Sequence, residues 1–396
     1  MARGTQARTP GVIHLISSLR IGGAERLLVS TMTAAADGAA IRPVVIVMNE
    51  AIDPGLMAEL RGSGVPVYHL ARREGHLHPR YLAAILRVIR THDIEAIHAH
   101  NDGSLFWGML AKLARPRLKL VYTQHEQGGA LRIRGLSRLA YRAMVDMTVA
   151  ISPFIVEETR AITGDRVTLI ENGIDLRKFI RSPAYQTPGR PVHLVQVGRF
   201  APVKGQDVLL RAVRLCLDRG LNIDCTLAGS VTDPAYFEMV TSLIKELDLE
   251  NHVRIQLDRT DVENLLSDMD IFVLSSRQEG FGIAIIEAMA ANLPVVVPSV
   301  GGARDIVRHG DNGLLFEVGN PRDLADKLQH LIATPDLGAK FAAAGARTAA
   351  RYDIRKTLEA KVTLYRKLLS DGRRSLPVRA SNGSQGVDAK ALREMP

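Results

Sequence analysis

Strand-length apolar runs alternate with helix-length segments along almost the whole chain, and few folds can accept that pattern. In the first half the runs are "VIHLI" (12–16), "PVVIVM" (43–48), "VPVYHL" (65–70), "EAIHAH" (95–100), "LKLVYT" (118–123) and "MTVAIS" (147–152). The pattern stops at "RSPAYQTPGRP" (181–191), which carries three prolines and no periodicity, as a domain linker does. It then restarts with "VHLVQVG" (192–198), "IDCTLAG" (223–229), "HVRIQL" (252–257), "DIFVLSS" (270–276) and "PVVVPS" (294–299). Alternation of this kind predicts parallel α/β units. Two such units, 11–180 and 192–352, joined by a linker at 181–191, place a cleft between them, and clefts between domains are the usual ligand sites. In "DIRKTLEAKVTLYRKLL" (353–369), Leu358, Val362, Tyr365 and Leu369 recur at helical spacing, so residues 353–370 are expected to be a docking helix. The ends, 1–10 and 371–396, are polar and expected to be disordered.

A chain of 396 residues is long enough for both units. Two cysteines, Cys216 and Cys225, supply neither a disulfide framework nor a metal-ligand cluster, which points to a reducing compartment and no metal site. The opening "MARGTQARTP" lacks the apolar core of a signal peptide, and nowhere is there an uncharged apolar run of about 18 residues. A cytoplasmic location is expected, peripheral to the membrane if the basic charge is used there. That charge is uneven. Residues 1–190 hold 25 Lys+Arg against 16 Asp+Glu, and residues 191–396 hold 26 of each, so the whole excess of +9 lies in the first half. It suits an anionic partner, or simply an arginine-rich solvated surface.

The segment "EGFGIAIIE" sets Glu279 and Glu287 eight residues apart, with Gly280 and Gly282 after the first. Glycines disfavour a helix and glutamates disfavour a buried strand, so a loop turning into a helix fits best. That helix begins near Ile283 and ends at Asn292, with Pro294 blocking continuation. Bare amides between two carboxylates suit a hydroxyl-rich ligand such as a sugar; an ordinary loop and capping glutamate is the plainer alternative. In "VGRFAPVKG", Arg199 and Lys204 follow a strand, where α/β sheets bind ligands. Two cations there suit a diphosphate, although for that pair alone solvated surface cations are the simpler reading. "PSVGGARDIV", with Gly301, Gly302 and Asp305, and "SSLRIGGAERLL", with Gly22 and Gly23, are further glycine-bearing strand-end loops that open helices. Neither is a G-x-G-x-x-G dinucleotide fingerprint.

Taken in order, "GGAER", "TQHE", "VAIS", "ENGID", "VGRFAPVKG", "EGFGIAIIEAMA" and "VGGARDIV" resemble glycosyltransferase family 4, retaining enzymes of the GT-B fold with two Rossmann-like domains facing each other across a deep cleft. The resemblance runs over most of residues 12–370. It implies a nucleotide-diphosphate sugar (UDP or GDP) as donor substrate, with no cofactor and no divalent metal. Arg199 and Lys204 would hold the diphosphate, and Glu287 the ribose hydroxyls. Glu279 would lie beside the transferred sugar together with the amides of Gly280, Phe281 and Gly282. Gly22 and Gly23 would let the first domain close on the diphosphate, and His125 of "TQHE" would sit near the reacting carbon. The acceptor would be a glycan or lipid-linked hydroxyl in cell-envelope or exopolysaccharide synthesis. Departures from the family pattern are Leu257 in the nucleobase loop and Asn292, each where glycine is common, Glu171 where proline is usual, and Asp305 where glutamate is usual.

Residues 128–145, "GGALRIRGLSRLAYRAMV", place four arginines beside leucine and isoleucine at helical spacing, which suits an anionic membrane surface or a helix packed on its own domain. The competing functions are a sugar-nucleotide epimerase or hydrolase of the same fold, a nicotinamide oxidoreductase, which lacks its fingerprint here, and a nucleic-acid binder. The last is disfavoured by an aromatic content of 5% and the absence of a base-reading motif, so no nucleic-acid partner is expected.

Overall fold

The computed structural model describes residues 9–38, 40–125, 135–179 and 190–374. The first half runs β1 (Gly11–Ile16), α1 (Gly23–Gly38), β2 (Arg42–Asn49), α2 (Pro54–Gly62), β3 (Val67–Arg72), α3 (Pro79–Thr91), β4 (Ala96–Ala99), α4 (Asp102–Ala114), β5 (Lys119–Gln124), α5 (Gly135–Met144), β6 (Met147–Ala150), α6 (Pro153–Thr163) and β7 (Val167–Leu169). The second runs β8 (Val192–Val197), α7 (Gln206–Asp218), β9 (Ile223–Gly229), α8 (Pro234–Glu246), β10 (Val253–Leu257), α9 (Val262–Ser267), β11 (Ile271–Val273), α10 (Ile283–Ala290), β12 (Val295–Pro298), α11 (Gly301–Ile306) and β13 (Leu314–Phe316). Three helices close the described residues: α12 (Pro321–Ala333), α13 (Pro335–Ala349) and α14 (Ile354–Arg374).

Both sheets are parallel, in the orders β3-β2-β1-β4-β5-β6-β7 and β10-β9-β8-β11-β12-β13. Helices cover both faces, so the central strands are buried along their length, as in β1 and β4. The strand order reverses between β1 and β4, and again between β8 and β11. Such switch points leave a crevice at the carboxyl ends of the strands, where ligands bind. The two units are Rossmann-like, and the architecture is the GT-B fold expected from sequence.

Local chemistry sets the helix starts. Before α2, α6, α8 and α12 a capping side chain precedes a proline: Asp53-Pro54, Ser152-Pro153, Asp233-Pro234 and Asn320-Pro321. The cap oxygen accepts an amide that the helix leaves unpaired, and proline lacks an amide that would need pairing. This explains one difference from the sequence reading. The strand expected over 147–152 stops at Ala150, because the Ser152 hydroxyl accepts the Ile155 amide at 3.3 Å and starts α6.

A second difference is at the C-terminus. Helix α14 continues to Arg374, so residues 371–374 are helical and do not belong to a disordered tail. The chain leaves the second unit beside the loop of the first: the Ile354 amide donates to Ile174 O at 2.9 Å, and the Ile174 amide to Tyr352 O at 2.9 Å. From there α14 packs Leu358, Val362, Leu364 and Tyr365 against Val12, Ala96 and Val121 of the first sheet and Leu27 of α1. The last described element is thus part of the first domain's core. The expected disorder at 1–8 and 375–396, the linker over 181–189 and residues 128–134 of the basic segment lie outside the described residues.

Candidate active site

A cleft of about 750 Å³ runs between the two units. On the second unit's side, β8 ends at Val197 and the chain turns through Arg199 into a short 3-10 turn, Pro202–Lys204. The turn is pinned from behind. Gln196 donates to Lys204 O at 2.9 Å, and the Ser275 hydroxyl lies 2.7 Å from both Gln196 Oε1 and Gly205 O. Gly205 adopts φ +64°, and a β-carbon there would lie 2.2 Å from Ser275 O, so only glycine permits this closure. Lys204 therefore projects into the cleft from a rigid base, and its ammonium lies 2.8 Å from Glu279 Oε2, which also accepts from the Ser276 hydroxyl at 3.2 Å. Arg199 is exposed at the cleft wall.

The loop carrying Glu279 ends at Gly282, with φ +103°, and α10 begins. Ile285, Ile286, Ala288 and Met289 are buried, which fixes α10 against the core and leaves Glu287 on the cleft side. Burial pushes the Glu287 carboxyl up to about 7; Arg26 and Lys178 oppose the shift and Glu263 adds to it. Asn292 takes φ +66° just past the helix, the left-handed conformation expected of it. Of the residues that sequence assigned to this loop, Glu279, Phe281, Gly282 and Glu287 line the cleft, while Gly280 does not. The Gly280 carbonyl and the Phe281 backbone lie against Gly302, where a β-carbon would meet them at 2.5–2.7 Å, and the Phe281 ring is buried 5.7 Å from the Tyr352 ring.

Across the cleft, Gly22 and Gly23 open α1, and a β-carbon on Gly23 would touch Ile283 Cδ1 at 3.6 Å. The two glycine-bearing loops thus face each other. Arg26 crosses the gap, donating to Thr260 O at 2.5 Å and Arg259 O at 3.4 Å. Sequence reasoning passed over Arg26 because an arginine in the first turn of a helix carries no pattern of its own. Leu257, at the end of β10 and close to that contact, is exposed.

His125 follows β5 and lines the cleft, with its Nε2 buried and without a hydrogen-bond partner. Its ring stacks on His100, with centroids 6.0 Å apart, and His100 stacks on His98 at 4.6 Å. Burial, with Lys361 adding positive charge, pulls the His125 pKa down to about 3, so the imidazole is neutral at ordinary pH. The structure therefore brings Gly22, Gly23, His125, Arg199, Lys204, Glu279, Phe281, Gly282 and Glu287 to one cleft. The arrangement offers cations for an anionic leaving group, carboxylates for hydroxyls and a neutral ring.

Comparison with known proteins agrees with this fold. The profile described as Glycosyltransferase Family 4 matches residues 21–178, and that described as Glycosyl transferases group 1 matches residues 179–348. A D-inositol 3-phosphate glycosyltransferase of Thermobispora bispora is 28% identical over 338 residues, covering 76% of this chain and 78% of that relative. The putative glycosyltransferase EpsD of Bacillus subtilis is 26% identical, over 74% of this chain and 82% of its own. HepE of Anabaena, solved in complex with UDP and glucose, superposes with a TM-score of 0.78 at 22% identity, covering 90% of this chain and 100% of that one. At that identity the likeness speaks for the fold.

Proposed function

The chain belongs to glycosyltransferase family 4, and from that premise we propose that it moves a sugar, with retention of configuration, from a nucleoside-diphosphate sugar to a hydroxyl of a glycan or lipid-linked acceptor. The observation that carries this is the Lys204–Glu279 pair, held at 2.8 Å in a cleft that Arg199 and Glu287 also line. UDP is favoured as the nucleotide because HepE binds it.

In this reading the diphosphate lies along Arg199 and Lys204, with the Gly22–Gly23 loop closing over it. Departure of the nucleoside diphosphate builds charge on the β-phosphate. Cations fixed in advance stabilise that charge without reorganising, and no divalent metal is required. Glu279 orients Lys204 and accepts from the sugar hydroxyls. Glu287 accepts from the ribose hydroxyls. His125, being neutral, serves as a hydrogen-bonding wall for the sugar and not as a proton donor. The acceptor hydroxyl attacks from the side the leaving group departs, and a phosphate oxygen takes its proton.

The acceptor side belongs to the first domain, where the excess positive charge lies. On α5, Leu139 is 68% exposed beside the exposed Arg138 and Arg142, which supports contact with an anionic membrane surface at the cytoplasmic face. No helix among the described residues is long and apolar enough to cross a membrane. A role in cell-envelope or exopolysaccharide synthesis follows from that acceptor class.

The test is to incubate the protein with UDP-, GDP-, ADP- and dTDP-sugars and a panel of hydroxyl acceptors, following nucleoside diphosphate release and the anomeric configuration of the product by NMR. The reading expects release that depends on acceptor and a product with the donor's configuration. Release without acceptor would favour an epimerase or hydrolase, and an inverted product would refute the retaining step.

A further inference from the structure

Behind His125 lies a polar cluster that the proposed chemistry does not use. His14 on β1 and His98 on β4 are cross-strand neighbours at the switch point, and both are fully buried. His14 Nδ1 lies 3.0 Å from His100 Nε2. Both nitrogens of His98 are engaged: Nδ1 with the Tyr365 hydroxyl at 2.5 Å and Nε2 with the Thr123 hydroxyl at 2.6 Å. Stacking then runs from His98 through His100 to His125 at the cleft. Tyr365 belongs to α14, and so does Lys361, one turn earlier on the same buried stripe as Leu358 and Val362. Lys361 is only 3% exposed, and among the described residues no carboxylate contributes to its charge environment.

A lysine on an apolar stripe without a counter-ion is costly, and a leucine or methionine would fill the place without that penalty. The groups that feel its charge are imidazoles: His14 from β1, His98 and His100 from β4, and His125 from β5. A cation among four imidazoles opposes the protonation of each. Tyr365 and Thr123, in turn, grip His98 from both sides, which settles its ring orientation.

We propose that Lys361 and Tyr365 are positioning residues of the active site, acting from the C-terminal helix through His98 and His100 to fix the orientation of the His125 ring at the sugar. This rests on the placement of His125 beside the transferred sugar given above. It also gives α14 a reason to return to the first domain, since the helix completes the back wall of the site.

A metal centre is the competing use of the same residues, because nitrogens of His14, His98 and His100 lie within 4.8 Å of one another. Two features oppose it. The Lys361 ammonium would repel a cation, and both His98 nitrogens are already hydrogen-bonded.

Two measurements on the full chain test the proposal. Imidazole NMR titrations of the wild type, Lys361→Met, Lys361→Arg and Tyr365→Phe read the cluster directly, and the pH profile of donor kcat/KM reads its effect on turnover. In Lys361→Met the His125 resonance is expected to titrate at higher pH than in the wild type. The acid limb of kcat/KM is expected to move the same way, costing about tenfold in rate on that limb for each pH unit moved. Lys361→Arg keeps the charge and should keep the wild-type profile. Tyr365→Phe removes one hydroxyl and should shift the His98 and His100 ring-nitrogen signals while lowering kcat more than it raises donor KM. It serves equally if the lysine variants do not fold. Histidine titrations in Lys361→Met that overlay the wild type, Tyr365→Phe signals that do not move, or stoichiometric metal in the purified protein would overturn the proposal. Titrations that move with no change in turnover would uphold the positioning and refute the placement of His125 at the sugar.

Discussion

Lowering the pH from 7.5 to 5.5 should destabilise the first domain sharply. His14, His98 and His100 are 0%, 0% and 3% exposed, and burial holds the pKa of each far below its usual 6.5, His14 at about 3. In the unfolded chain all three titrate near 6.5. Between that value and their folded pKa the unfolded state binds protons that the folded state refuses, so stability falls as pH drops through 6.5. One pH unit below 6.5 each group contributes about 1.4 kcal/mol, and the three together about 4 kcal/mol. A domain has about 5–15 kcal/mol in all, so the loss is a large fraction of it. For a unit of this size that corresponds to a fall in Tm of roughly 8–16 °C. Glu287, raised to about 7, acts in the opposite sense and partly protects the second domain. Circular dichroism melts at constant ionic strength across this range measure the effect. A Tm that stays within about 2 °C would refute the neutral buried cluster.

Other consequences concern the cleft. If ribose hydroxyls donate to the Glu287 carboxylate, donor KM should rise about tenfold from pH 8 to pH 6 as that group takes a proton, and Glu287→Gln should show a raised KM with no such dependence. Lys204→Met removes a cation and leaves the largely buried Glu279 carboxylate without its ion-pair partner; we expect donor kcat/KM to fall about 100- to 1,000-fold, read by steady-state kinetics. Arg26→Ala cuts the hydrogen bonds to the 259 and 260 carbonyls, so donor KM should rise and small-angle scattering should show a larger radius of gyration. The membrane contact predicts flotation with anionic liposomes at moderate salt, and none with neutral ones.

Much of this architecture is legible in the sequence because parallel strands buried on both faces must be continuous apolar runs, and cap-proline pairs mark helix starts. What escaped has physical causes. Strands β7 and β13 have three residues each at sheet edges, too few to show a period. The run read as 65–70 is paired two residues later, as Val67–Arg72, because its register follows β2 and an irregularity between Val47 and Asn49. The site was readable where neighbouring residues act together, as in Glu279 to Glu287 or Arg199 to Lys204. It was unreadable where the fold gathers distant ones. No spacing links His14, His98, Thr123, Lys361 and Tyr365, and His98 and His100 taken alone look like ordinary histidines at a strand end. The return of α14 onto the first domain likewise depends on tertiary packing and not on its own heptad of apolar residues.

The most direct test of the central claim is thermal stability with UDP, GDP, ADP, dTDP and NAD in large excess, for wild type and Glu287→Ala. At roughly a hundred times its Kd a bound nucleotide adds about 2.7 kcal/mol. The account predicts that one nucleoside diphosphate stabilises the wild type, that NAD does not, and that the variant loses the effect. Stabilisation by NAD alone, or by a nucleoside diphosphate equally in both proteins, would contradict it.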